Sequence, residues 1–145
     1  ARISFVVGNK DIISKFRLLR SQIDYGIFYP VQYGAIAALT GCDDFIEKQR
    51  KQYAARNQAL CGGLRKIGWN VPDSQGTMFV WAKIPEGYES SEDFCMKLME
   101  RTGVIVTPGS AFGSNGEGYV RMALVVGEEK IQEIIEVIDR TGMFR

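Results

Sequence analysis

Isoleucines at 131, 134, 135 and 138 repeat at the i, i+3, i+4, i+7 spacing of one helix face, so a helix that buries them is expected from about Glu128. A longer helix is expected from Asp43 or Asp44 to about Ile67. There Ile46, Tyr53, Leu60 and Ile67 recur every seven residues, and Phe45 and Leu64 broaden the stripe. Phe94, Leu98 and Met99 mark a third helix, capped by Ser90 or Ser91 and stopped by Gly103. Between these helices the pattern changes to strands. "WNV" reads as a short strand, Thr77 to Ile84 as a strongly apolar one, and "VIVTPG" and "YVRMALVV" as two more.

Upstream, "ARISFVV" reads as a short apolar strand stopped by Gly8-Asn9, with Asp11 as the opening cap of a helix carrying Ile12, Ile13, Phe16 and Leu19. The stretch from Ser21 to Tyr29 has no helical period. Pro30 then permits a helix through "VQYGAIAALTG", closed by Gly41. From about residue 30 the order is helix, two strands, helix, two strands, helix. It predicts an α+β fold, an α/β sandwich with helices packed on one face of a small, mostly antiparallel sheet. The opening strand has no place in that sheet. Being apolar on both faces, it suits a buried strand of a larger domain, and in isolation it is expected to self-associate or lose order.

One residue breaks the apolar pattern. In "GEGYVRMALVV", Val120, Met122 and Leu124 share one face of the strand while Tyr119, Arg121 and Ala123 share the other. A half-buried guanidinium is costly unless it meets an anion, and its planar fork suits carboxylate or phosphate oxygens. The anion is either an internal Asp or Glu or the carboxylate of a ligand, and the strand alone leaves both open.

Composition narrows the chemistry. Eighteen basic and seventeen acidic residues leave a charge of +1, so no global field points to nucleic acid or an anionic membrane. The basic side of the long helix, with Lys48, Arg50, Lys51, Arg56, Arg65 and Lys66, reads as a solvated face. No apolar run approaches bilayer length and no signal peptide opens the chain, so a soluble, cytoplasmic protein is expected. Cys42, Cys61 and Cys95 are widely spaced and read as reduced thiols. Histidine is absent, which removes Ser-His and Cys-His nucleophile systems and His-ligated metals. Catalysis would need other groups or a cofactor.

Two segments, "ARISFVVGNKD" and "VTPGSAFGSNGEGYVRMAL", resemble the class I and II aminotransferases of fold type I, which use pyridoxal phosphate. The intervening "YPVQYGAIAAL", "QYAARNQALCGGLRKIGWNVPDSQGTMFVWAKIP" and "FCMKLMERTGVIVTPGSAFG" resemble the same family's dimer-facing helix, inter-domain helix and small domain, so the likeness runs the length of the chain. It implies that residues 1–32 are a remnant of the large cofactor-binding domain, and that 33–145 are the inter-domain helix and C-terminal small domain. It implies that Arg121 grips the substrate α-carboxylate and that Arg2 contacts the cofactor phosphate. Amino-acid and 2-oxo-acid substrates and a homodimer follow from the same resemblance. The glycines at 109, 113, 116 and 118 read as turn formers in a loop that, in the family, borders the substrate pocket. Gly76, Thr77 and Met78 are placed near that pocket, and Tyr25 and Tyr29 near a neighbouring subunit.

The resemblance also marks a departure. The family's Schiff-base lysine falls before the segment matching "ARISF", so it is absent from this chain, and Lys10 and Lys15 are no substitutes. The chain alone is therefore expected to be inactive, as the C-terminal portion of an aminotransferase. Two alternatives stay open: a non-catalytic interaction or dimerisation module, and part of another fold type I enzyme such as a β-lyase.

Overall fold

A computed structural model describes residues 2–144, and these fall into two compact units that divide between Lys48 and Gln49. In the first unit helix α1 spans Lys10–Ile23 and helix α2 spans Tyr29–Gly41. The cap of α1 is Asn9 rather than Asp11: its Oδ1 accepts from Asp11 N at 2.9 Å and Ile12 N at 3.3 Å. Asp11 sits instead in the first turn, where its charge favours the helix dipole. The helix also continues through Ser21–Ile23, which were expected to be irregular. Pro30 occupies the first turn of α2, where its missing N–H costs nothing.

Residues 3–7 form no strand. A strand needs a partner ladder to satisfy its backbone, and no described residue pairs with this segment. Phe5 and Val7 stand 78% and 81% exposed. Neither α1 nor α2 contains a buried residue.

Helix α3, Asp43–Lys66, continues into the second unit, where Leu60, Cys61 and Leu64 on its C-terminal half are buried. Three strands follow: β1 (Phe79–Lys83), β2 (Thr107–Pro108) and β3 (Tyr119–Ala123). Their order is β1-β3-β2 and both pairings are antiparallel, as expected. Helix α4, Ser91–Thr102, is capped by Ser90, whose hydroxyl accepts from Asp93 N, and it ends at Gly103 with φ 71°. Helix α5 spans Glu128–Arg140. Val80 and Ala82 of β1 and Val120 and Met122 of β3 join Leu60 and Leu64 of α3, Phe94 and Leu98 of α4, and Ile131 and Ile138 of α5 in one core. The helices thus cover one face of a small antiparallel sheet.

Every expected strand is shorter than its apolar run or missing, and two in the second unit depart most. Residues 69–74 form no ladder because Val71 N turns back to Trp69 O and side chains of α3 take other backbone groups. Asn57 Nδ2 donates to Ser74 O at 3.1 Å, Ser74 N donates to Asn57 Oδ1 at 3.2 Å, and Arg65 donates to Val71 O at 2.7 Å. In "VIVTPG" only Thr107 and Pro108 pair, since Pro108 has no N–H to extend the ladder and the chain turns into a 3-10 helix at Gly109. On α5, Ile131 and Ile138 are fully buried while Ile134 and Ile135 lie half-buried at the edge of the core.

Candidate functional site

Alternation along β1 and β3 sends Val80, Ala82, Val120 and Met122 to the helices, and so turns Phe79, Trp81, Tyr119 and Arg121 to the opposite face. Register sets Arg121 directly across from Trp81 on one side and from Thr107 on the other. A 3-10 turn at Gly109–Phe112 brings a further ring to this face. The Arg121 guanidinium carbon lies 4.3 Å from the Phe79 ring centroid and 4.5 Å from that of Phe112. Trp81 meets Phe112 edge-on at 5.8 Å and stacks on Tyr119 at 5.7 Å, with an interplanar angle of 16°. Arg121 is half-buried, and among the described residues no carboxylate forms an ion pair with it. The internal-acid alternative left open by the sequence thus finds no partner among the described residues. Two π-faces offset part of the desolvation of the cation, and no described residue accepts from its N–H fork.

The loop bordering this face is fixed by backbone contact and by one carboxylate. A Cβ on Gly109 would come 2.0 Å from Gly116 O, and one on Gly116 would come 2.0 Å from Gly109 O, so these two glycines are needed for close approach. Gly113 and Gly118, with φ of 113° and 81°, act as turn formers. Glu117 Oε1 accepts from Ser91 N at 2.6 Å and Gly118 N at 2.8 Å, and Oε2 accepts from Ser91 Oγ at 3.1 Å. These donors, Ser91 N–H first, hold the Glu117 carboxyl below its ordinary pKa. Glu117 and Ser91 carried no signal in the sequence beyond a cap position and a charge.

Before β1, Thr77 has φ 66°, a left-handed conformation unusual for a β-branched residue. Its Oγ1 accepts from Phe79 N at 3.1 Å, which ties the strained turn to the residue whose ring meets Arg121. Met78 is exposed just before that strand, and its carbonyl accepts from Leu124 N. Arg2 belongs to the first unit and Arg121 to the second. Arg2 is exposed and pairs with no acid among the described residues. Its fork is therefore available to a phosphate, but one guanidinium supplies a single contact rather than a full phosphate cradle. Tyr25 and Tyr29 are also exposed. Among the described residues no cluster of three or more His, Cys, Asp or Glu could hold a metal, and no helix is long and apolar enough to cross a membrane.

A small α+β domain thus presents a ring-flanked arginine, unpaired among the described residues, on the sheet face opposite the helices. Comparison with known proteins makes this specific: residues 1–138 match the model of the family "Aminotransferase class I and II", and the chain belongs to that family. It is 47% identical over 135 residues to an LL-diaminopimelate aminotransferase of Halothermothrix orenii, covering 93% of this chain and 34% of that protein. It is 41% identical to the glutamate-pyruvate aminotransferase AlaC of Escherichia coli, covering 99% of this chain and 35% of that protein. Among solved structures, apo-BacF from Bacillus subtilis superposes with a TM-score of 0.87 at 34% identity, covering 95% of this chain and 35% of the other. The chain thus spans about a third of the length of the relatives it matches. Membership of this family implies pyridoxal phosphate as the cofactor of an intact enzyme.

Proposed function

We propose that a polypeptide carrying this chain moves an amino group between an amino acid and a 2-oxo acid, and that Arg121 holds the substrate carboxylate. The observation that carries the reading is the unpaired Arg121 guanidinium between the rings of Phe79 and Phe112. The names of the relatives differ in substrate, LL-diaminopimelate in one and glutamate with pyruvate in another. An α-carboxylate is common to all of these compounds, and it suits a site made of one fork and no side-chain-specific charge. Two parallel N–H···O bonds from Arg121 fix the carboxylate in one orientation, while the rings exclude water and strengthen that attraction.

Bound pyridoxal phosphate would supply the electron sink of the reaction. Arg2 is the residue of this chain assigned to its phosphate, as one contact among several that the site requires. Residues 1–32 as a remnant of the cofactor-binding domain, and 33–145 as inter-domain helix and small domain, belong to the same proposal. A homodimer is included as well. It is supported by the apolar side chains left exposed before Lys48, among them Phe28, Tyr29, Tyr33 and Leu39.

The test is Arg121→Ala in an aminotransferase polypeptide that contains this chain. Losing a charge-assisted bidentate pair removes roughly 1.5 to 3 kcal/mol, so kcat/KM should fall about ten- to a hundredfold. The fall should be similar for every amino-acid substrate. Arg121→Lys recovers part of it, because an ammonium cannot form both parallel bonds. Normal kinetics in the folded Arg121→Ala protein would remove the assignment.

A further inference from the structure

We propose that Glu117 is a positioning residue for anion binding: its carboxylate latches the 109–118 loop to the start of α4, and through Phe112 the latch fixes the plane of the Arg121 guanidinium. The inference rests on the carboxylate-binding reading of Arg121 and adds the device that keeps its fork aimed. Glu117 touches neither Arg121 nor Phe112 in any hydrogen bond or ring contact, so its influence must pass through the loop. The latch is built from three donors, Ser91 N, Ser91 Oγ and Gly118 N, on the two oxygens of one carboxylate. Ser91 is completely buried, and its hydroxyl also accepts from Ser110 N at 3.5 Å. The far side of the loop is thereby tied to the same point.

Close packing of Gly109 against Gly116 leaves little freedom between those ties. Phe112 lies between them in sequence and is itself 51% exposed, so it depends on the loop rather than on a surrounding core for its place. It contacts the guanidinium and also meets the Trp81 ring in a T-shaped arrangement. Removing the latch frees the loop, releases Phe112, and lets the guanidinium rotate about its side-chain bonds. The expected result is weaker anion binding with Arg121 still present.

The test follows the Arg121 Nε–Hε resonance of the 145-residue chain by NMR while glutarate is added as a carboxylate probe. The unsubstituted chain should show a saturable shift that Arg121→Ala abolishes. Glu117→Ala should weaken glutarate binding about three- to tenfold, the scale of a misaimed fork, and broaden the Arg121 resonance. Glu117→Gln should restore most of the affinity, since its amide oxygen still accepts from the backbone N–H groups of Ser91 and Gly118. Phe112→Leu, at the exposed part of the loop, should reproduce the Glu117→Ala loss, and it serves as the test if Glu117→Ala fails to fold. Saturable binding in the parent with unchanged affinity in Glu117→Ala or Phe112→Leu overturns the latch. No saturable response in the parent overturns the Arg121 reading itself, and the latch with it.

Discussion

The two faces of the sheet come from the same two strands and do opposite work. Val80, Ala82, Val120 and Met122 on the helix side are at most 6% exposed and belong to the apolar core. Phe79, Trp81, Tyr119 and Arg121 on the other side are half-buried or exposed, and they gather rings around a cation. A one-residue slip of register would exchange the two sets, burying the arginine among isoleucines and exposing the valines. The core and the ring-flanked cation are therefore specified together by the period of two, and the strong apolar face also fixes where the arginine points.

Changes on the helix side should give the largest effects. Phe94→Ala, at a fully buried position contacting Trp69, Tyr88 and Phe144, should cost about 3 to 5 kcal/mol in denaturant unfolding. Ile131→Ala should cost about 2 to 5 kcal/mol, and Ile135→Ala less, because Ile135 is only half-buried. Equal losses for the two would break the assignment of the α5 face. Gly116→Ala forces a Cβ onto the Gly109 carbonyl and should lower stability by about 1 to 3 kcal/mol, with the site face losing order first. On the open face, Arg121→Ala should change stability by less than about 1 kcal/mol, since no internal acid is stranded by it. A loss of several kcal/mol on that substitution would mean that both faces are structural and would end the comparison.

The effects of pH are confined to its extremes. Burial, with help from the charges of Glu117 and Glu92, pushes the Cys95 thiol up to about 11. A raised pKa favours the protonated native form, so its contribution is complete below the ordinary thiol value of 9.0 and is lost as pH rises toward 11. Melting temperature should fall across that window, and Cys95→Ala should flatten part of the slope. Glu117 has the opposite sign. Its lowered carboxyl contributes above the ordinary value of 4.5 and loses that contribution as pH falls below it. Glu117→Gln should have a shallower acid limb than the parent, and identical limbs would place the latch's charge outside the folding equilibrium.

The helices were legible because their signal is redundant: α5 shows four isoleucines on one stripe and α4 shows a serine cap and a terminal glycine. The strand carrying Arg121 was legible from its alternation, and the resemblance gave the arginine a role that the alternation could not. What escaped depended on partners distant in sequence. Residues 69–74 have strand-like composition, yet their backbone is claimed by Asn57 and Arg65 of α3. The segment 3–7 has the residues of a strand and no ladder among the described residues. Within the candidate site, Phe79 and Phe112 were read as strand and loop residues. Only the register and the 3-10 turn bring both rings to Arg121, across 42 and 9 positions of sequence. The Glu117–Ser91 latch, 26 residues apart, left no local signature at all.

The sheet also separates the two tryptophans of the chain. Trp69 is 3% exposed, lies parallel to Phe144 at 4.9 Å and donates its indole N–H to Lys83 O. Trp81 is 40% exposed on the open face, in register with Arg121. Their emission should therefore separate by colour: a blue-shifted component from Trp69 that a dissolved quencher reaches only on unfolding, and a red-shifted, readily quenched one from Trp81 that responds when an anion meets the neighbouring cation. The chain contains its own optical reporter for folding, and if Arg121 meets an anion as proposed, Trp69→Phe would leave Trp81 to report that occupancy alone.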